Sequence, residues 1–364
     1  MNKNIIYSLI AISIGSLLAL LVLELFLQFF NPLPLSVKND TIVLPAKRVY
    51  TFENMHIPAL DDKITHTKNS LGFRGSELPT NLEDYLSIVT VGGSTTECRF
   101  LSDGLDWASL LERELQAHTN ESVWINNAGL DGHSTFGHQI LLDSYLAKLQ
   151  PDYILYLVGV NELERGDLHN DDKALLKNNS FSIVDWLKKN SEIAILVNGL
   201  RRSLVAYQID AGHGTLDLKQ EAHITLDEAN SKAIIARQYP YLVAYEKRLS
   251  TLMRATKQDE IQPVLITQPL LFGAAIDPAT TINLGTIKTR FENGKTYWEV
   301  LEMYNTITRK VAKKESVPLI DLAHLLSKNS EFYYDGMHFT NEGATEISKL
   351  LAQQFERLNL IASN

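Results

Sequence analysis

The sequence predicts an α/β fold built on a mostly parallel sheet. Two observations carry that prediction. Short apolar runs rich in β-branched residues, Ile88–Val91, Val123–Asn127, Tyr153–Val158, Pro263–Thr267 and Pro318–Asp321, alternate with helical patterns. Strands alternating with helices make βαβ units, whose strands lie parallel. The runs also stop abruptly at polar or glycine-bearing loops: Gly92-Gly93-Ser94, Asn127-Ala128-Gly129, Gly159-Val160-Asn161 and Gln268-Pro269. Buried parallel strands end this way when they deliver side chains to the top of a sheet, where ligands of open α/β folds bind.

Taken in order, the chain begins with an almost wholly apolar stretch from Ile5 to Phe30, broken by Ser8, Ser13, Ser16, Glu24 and Gln28. About 20 apolar residues cross a hydrocarbon core of about 30 Å. The stretch ends in Phe29-Phe30-Asn31-Pro32 without a small-residue cleavage site, so residues 1–30 read as an uncleaved signal anchor. Glu24 lies towards the C-terminal end of this span, where snorkelling to the interface is expected and a helix–helix contact is the alternative. Flanking charge does not set the orientation, because Lys3 stands on one side and Lys38, Lys47 and Arg48 on the other. Residues 31–81 read as a connector punctuated by Pro32, Pro34, Pro45 and Pro58, with a turn-rich piece at Asn69–Gly75.

From residue 82 to 364 the pattern is that of one domain. Helices are expected around Trp107–Ala117, Phe136–Leu149, Tyr241–Thr256, Trp298–Lys314 and Asn341–Leu358. The alternation is interrupted from about Leu163 to Gln238, an insertion with helical patterns near Ile183–Leu200 and Leu226–Arg237 and no clean strand. Insertions of this length at the C-terminal end of a strand serve as lids or partner surfaces. Asp171 and Asp172 read as a solvated turn, and Trp186 and Tyr207 as aromatic candidates for stacking on a sugar or as the insertion's own core.

Composition narrows the function. The 364 residues carry a net charge of −9 and no long basic run, which argues against a nucleic-acid partner. The single cysteine, Cys98, excludes an internal disulfide and a cysteine-based zinc site; it reads as a small buried residue rather than a redox centre. No metal or cofactor is called for.

The strand-end loops and the last loop of the domain together carry Ser94, Gly132, Asn161 and the pair Asp335 and His338. Ester chemistry needs this set. A serine hydroxyl attacks a carbonyl only if a base takes its proton, and an imidazole exchanges protons near neutral pH. A carboxylate three residues from the imidazole can fix its tautomer. Backbone N–H groups and a side-chain amide can meet the developing oxyanion. Each residue also has a plainer reading: Ser94 as a helix cap, His338 as a core or capping histidine, Asn161 as a turn residue, Gly132 as backbone geometry. His133 and His138 read as helix-start residues rather than rival bases, and Asp321 as structural.

With these blocks in this order, the chain resembles an SGNH hydrolase of the GDSL-like esterase superfamily. The resemblance runs from about Ser87 to Leu358, the insertion excepted, and implies a flavodoxin-like three-layer α/β/α sandwich. It implies Ser94 as nucleophile and oxyanion donor, Gly132 and Asn161 as the rest of the oxyanion hole, and Asp335 and His338 as the rest of the triad. Two positions depart from the family pattern. Gly93 stands where an aspartate is usual before the serine, and Glu162 where an aspartate is common after the asparagine. The Gly-Gly-Ser-Thr form resembles membrane-anchored bacterial members tied to extracellular polysaccharide.

The expected activity is therefore a serine esterase without cofactor, anchored in the cytoplasmic membrane with its catalytic domain outside. Its expected substrate is an ester on a carbohydrate or envelope polymer, an O-acetyl group first. The alternatives are an O-acyltransferase passing the same acyl-Ser94 to a sugar hydroxyl, and a non-catalytic polysaccharide-binding or assembly factor.

Overall fold

The computed structural model describes residues 3–30, 36–38, 41–54, 57–166, 191–194, 196–197, 200, 213–225 and 227–361. The chain divides into two compact units, one of residues 1–45 and 174–212, the other of residues 46–173 and 213–364. Asp171, Asp172, Trp186 and Tyr207 lie outside the described residues.

In the first unit, α1 (Lys3–Phe29) is a continuous helix. Its segment Asn4–Phe29 is long and apolar enough to cross a membrane, with a mean hydropathy of 2.5 over its best window. A short antiparallel hairpin, β1 (Ser36–Lys38) with β2 (Thr41–Val43), follows. Glu24 does not simply reach for solvent. Its carboxylate accepts hydrogen bonds from Ser191 Oγ at 2.9 Å and from the backbone N–H groups of Glu192 at 2.6 Å and Ile193 at 3.2 Å. The carboxylate meets a second helical segment at its start, where the first N–H groups of the turn at 192–194 have no acceptor of their own.

The second unit is built on a five-stranded sheet of β5 (Tyr85–Gly92), β6 (Ser122–Asn127), β7 (Tyr153–Val158), β8 (Gln262–Thr267) and β11 (Leu319–Ile320). All four pairings are parallel, in the spatial order β11-β8-β7-β5-β6. Numbered along the chain this is the 2-1-3-4-5 order of flavodoxin-like folds, whose switch point falls between the first and third strands. Those strands are β5 and β7, so the crevice opens where Ser94 and Asn161 leave the sheet. Burial on both faces explains the near-continuous apolar strands: Ile88, Val89, Val91, Ile154, Leu155, Tyr156, Val264 and Leu265 are all fully buried.

Helices cover the sheet where their patterns predicted. α3 (Trp107–His118) is capped by Asp106, which accepts from Ser109 N. α4 (Thr135–Leu141) passes through a π turn at Leu142–Leu146 into α5 (Ala147–Leu149), a widening that periodicity alone does not reveal. The described end of the insertion contributes α6 (Glu228–Ala236), which leads into α7 (Tyr239–Gln258). α8 (Gly294–Lys314) starts earlier than its apolar pattern because Asn293 caps it. A small hairpin, β9 (Lys288–Thr289) with β10 (Glu292–Asn293), precedes it. α9 (Leu322–Leu325) and α10 (Asn341–Arg357) complete the layer.

From Ala46 onward, the stretch read as a connector belongs to this second unit. It forms an antiparallel hairpin of β3 (Arg48–Glu53) and β4 (Lys63–Lys68), which alternation of apolar residues could not reveal. The inward positions of β4 are Ile64, His66 and Lys68, so two of its three buried side chains are polar. Beyond it, Arg74 is buried and its guanidinium donates to the carbonyls of Glu97, Cys98 and Leu101 at 2.7–2.9 Å.

Candidate active site

At the end of β5, Ser94 opens a single helical turn, α2 (Ser94–Glu97), with Gly93 rather than Ser94 at the capping position. The hydroxyl is thereby free for a distant partner: Ser94 Oγ lies 2.8 Å from His338 Nε2. His338 Nδ1 lies 2.6 Å from Asp335 Oδ2. The other Asp335 oxygen accepts the backbone N–H groups of Met337 at 2.8 Å and His338 at 2.7 Å. Burial works to raise the Asp335 pKa, but the His338 ring and these backbone donors outweigh it and hold the carboxyl below the usual carboxylate range. An ionised Asp335 can only accept, so the His338 proton sits on Nδ1, and Nε2 is left to accept from Ser94 Oγ. The loop is closed by a β-bridge between Tyr333 and Phe339 and by Tyr334 N donating to His338 O at 3.0 Å. A serine bonded to an imidazole that is itself bonded to a carboxylate can lose its proton as it attacks an electrophilic carbon.

Two further loops converge on Ser94. Asn161 follows β7, and its Nδ2 donates to His133 O at 2.9 Å, leaving the second amide hydrogen for another acceptor. A Cβ built on Gly93 would lie only 2.0 Å from that nitrogen, which gives the glycine before Ser94 a steric cause. Gly132 has φ +71°, the left-handed region that favours glycine, and no acceptor for its N–H occurs among the described residues. Asn127 ties this loop to the first: its Nδ2 donates to Thr96 O at 2.6 Å and its Oδ1 accepts from Gly129 N at 2.9 Å. The ring bonded to Ser94 is that of His338, not His133 or His138. Asp321 is held by Arg309 and Thr267 at 2.8–2.9 Å, away from the serine's partners.

Glu162 has a structural duty. Its buried carboxylate accepts from Thr135 N at 2.5 Å, Thr135 Oγ1 at 3.1 Å and Arg248 at 2.8 Å, so it fastens the start of α4 to α7. Cys98 is buried and sits in the left-handed region with φ 48°; burial pushes its thiol pKa up, as suits a packing residue.

Sequence reasoning missed His213, the residue within the insertion at which the chain returns to the second unit. Its ring centroid is 4.2 Å from that of His338, its Nδ1 is 2.6 Å from Tyr334 Oη, and its Nε2 is 3.6 Å from Asp131. Tyr334 stacks on His338 with 5.6 Å between centroids, and Phe100 meets His213 edge-on at 4.8 Å. Phe52 from β3 continues this aromatic row to Phe100 at 5.7 Å, with Arg99 over the Phe52 ring. No spacing signal marks His213, because it is brought back by a chain excursion. The ligating atoms of His213, Asp335 and His338 lie within 4.8 Å of one another. Asp335 and both ring nitrogens of His338 are already engaged in the hydrogen bonds just described, which a cation would have to displace.

Glu97 was also missed. Its carboxylate accepts Asp131 N at 2.9 Å, one residue before Gly132, and faces Lys68 Nζ at 3.4 Å. Lys68 is 3% exposed; burial lowers its pKa and Glu97 opposes that shift.

Against known proteins, the sequence profile of the GDSL-like Lipase/Acylhydrolase family matches residues 90–345. Solved structures that resemble the chain include an acetylxylan esterase from Geobacillus stearothermophilus, at 14% identity and a TM-score of 0.42 over 74% of this chain and 93% of that one. Another is the lipase/acylhydrolase from Enterococcus faecalis, at 17% identity and a TM-score of 0.41 over 75% of this chain and 96% of that one. No curated protein matches the sequence.

Proposed function

The chain belongs to the GDSL-like lipase/acylhydrolase family and is a hydrolase acting on ester bonds, and from that premise we propose that Ser94, His338 and Asp335 are its nucleophile, general base and orienting carboxylate. The observation that carries this reading is the unbroken relay from Ser94 Oγ to His338 Nε2 at 2.8 Å and from His338 Nδ1 to Asp335 at 2.6 Å. As Ser94 Oγ attacks the ester carbonyl, His338 Nε2 takes its proton and the carbonyl oxygen becomes an oxyanion. The N–H groups of Ser94 and Gly132 and the unspent Asn161 amide hydrogen meet that oxygen. His338 then returns the proton to the departing alcohol. A water activated by the same imidazole cleaves the acyl-Ser94, releasing the acid and restoring the serine.

The proposed substrate is an O-acyl group, acetyl first, on a carbohydrate or envelope polymer. Supporting it is the row of His213, Phe100 and Phe52 with Arg99, which sets aromatic surface and hydrogen-bonding groups side by side next to His338, as sugar recognition requires. α1 is proposed to anchor the enzyme in the cytoplasmic membrane with the larger unit outside. The test is labelling by a fluorophosphonate probe, followed by a panel of aryl acetates, longer acyl esters and acetylated glycans. Probe labelling with preferential deacetylation of glycans supports the reading; labelling with preference for long acyl chains keeps the mechanism and overturns the substrate. Net acylation of an added oligosaccharide beyond release of free acid would make the enzyme a transferase. A C-terminal reporter active only in the cytoplasm would reverse the orientation.

A further inference from the structure

The described part of the insertion between residues 191 and 200 lies in the same compact unit as the apolar helix α1, and we infer that it is a second lipid-contacting element, held at the bilayer boundary by Glu24. The inference rests on the anchoring role proposed for α1. Three observations carry it.

The first is the depth of the contact. The span Asn4–Phe29 has 26 residues, about 39 Å of helix against about 30 Å of hydrocarbon. With the span centred, Glu24 lies about 11 Å from the midplane, a few Å inside the hydrocarbon edge. A carboxylate there needs donors, and a helix start there needs acceptors. Each supplies the other: Ser191 Oγ and the N–H groups of Glu192 and Ile193 donate to Glu24, while Ser191 Oγ also accepts from Ala194 N at 3.2 Å.

The second is the apolar stripe that this contact leaves uncovered. Ile193, Val197 and Leu200 recur at i, i+4 and i+7, one face of a helix. Val197 is 57% and Leu200 54% exposed. α1 likewise leaves its apolar side chains exposed, with none of the residues of its best apolar window buried. The third is charge: Lys188 and Lys189 precede the apolar run and Arg201 and Arg202 follow it, the pattern of segments that lie in an anionic headgroup layer with their apolar side in the acyl boundary. The occupant of the stripe is therefore the bilayer itself.

The test uses the full-length protein in vesicles of phosphatidylcholine and phosphatidylglycerol. Variants Val197→Cys, Leu200→Cys and, as a control in α1, Leu18→Cys are each labelled with an environment-sensitive fluorophore. Cys98 is buried, and unlabelled wild type checks that it stays silent. Lipids brominated on their acyl chains should quench all three labels. Adding Glu24→Ala should abolish quenching at 197 and 200 and leave 18 unchanged. Labels at 197 and 200 that stay in water, or in an apolar setting beyond the reach of brominated lipid as against a second copy or the rest of the chain, overturn the inference while the quenched Leu18→Cys label upholds the anchor. Quenching insensitive to Glu24→Ala overturns the role given to Glu24. Protein that fails to sediment with the vesicles overturns the anchor, and the inference with it.

Discussion

The Glu97 carboxylate accepts the backbone N–H of Asp131 at 2.9 Å, and so fixes the residue before Gly132 from the end of the turn that begins with Ser94. Its other oxygen faces Lys68 of β4 at 3.4 Å. Glu97→Ala strands a buried ammonium, which costs about 3–5 kcal/mol, and frees the Gly132 loop. Glu97→Ala should therefore lower both the denaturation midpoint and kcat. Adding Lys68→Met should restore most of the stability, but not kcat, since Asp131 N still lacks its acceptor. Wild-type kcat in the double variant would show that Glu97 serves stability alone.

Ser94→Ala should abolish ester turnover and fluorophosphonate labelling while changing stability by no more than about 1 kcal/mol, the net worth of one hydrogen bond. Labelling that survives the substitution would move the nucleophile elsewhere.

Asn161→Ala removes the one side-chain donor among the three assigned to the oxyanion. Loss of such a donor costs about 10²–10³ in kcat. The bond to His133 O is lost as well, so stability should fall by about 1 kcal/mol. Steady-state kinetics should show the deficit in kcat with KM little changed. A deficit smaller than roughly tenfold would leave Asn161 a turn residue.

His66 predicts a pH dependence of stability. Burial, followed by the charges of Arg74 and Lys68, lowers its pKa to about 2. The folded ring stays neutral while the unfolded one protonates below about 6.5. Between those values the unfolded chain binds more protons, so stability rises with pH and is lost as pH falls. The contribution is fully present above about pH 7 and smaller by about 2 kcal/mol at pH 5. Denaturant unfolding from pH 5 to 8 should show this slope, and His66→Gln should remove it. Equal slopes in the two proteins would mean that His66 is not buried neutral.

The sheet was legible because its strands are buried on both faces and read as apolar runs; Tyr153–Val158 matches its observed bounds residue for residue. The positions of Ser94, Asn161, Asp335 and His338 were legible because each follows a strand or precedes a capped helix. What lay hidden was built from polar residues at inward positions. His66 and Lys68 of β4, Arg74 and Glu97 look like solvated surface in sequence and are buried by one another. His213 was hidden for a different reason: its nearness to His338 depends on where a long insertion returns, which no local pattern encodes. The start of α8 was missed because a cap, Asn293, sets it rather than apolar periodicity.

The nitrogen of Asn161 stands 2.0 Å from where a side chain on Gly93 would begin, so on this backbone any side chain gained at position 93 must be met by a shift of the Asn161 amide. A descendant that gained the aspartate usual in this family at position 93 would displace the asparagine before it had any compensation. A change at position 93 alone therefore moves the amide proposed to meet the oxyanion, and a paired change in the asparagine block is what would restore it. Exchanging the serine block alone between this chain and an aspartate-bearing relative should fail, where exchanging it together with the asparagine block should succeed.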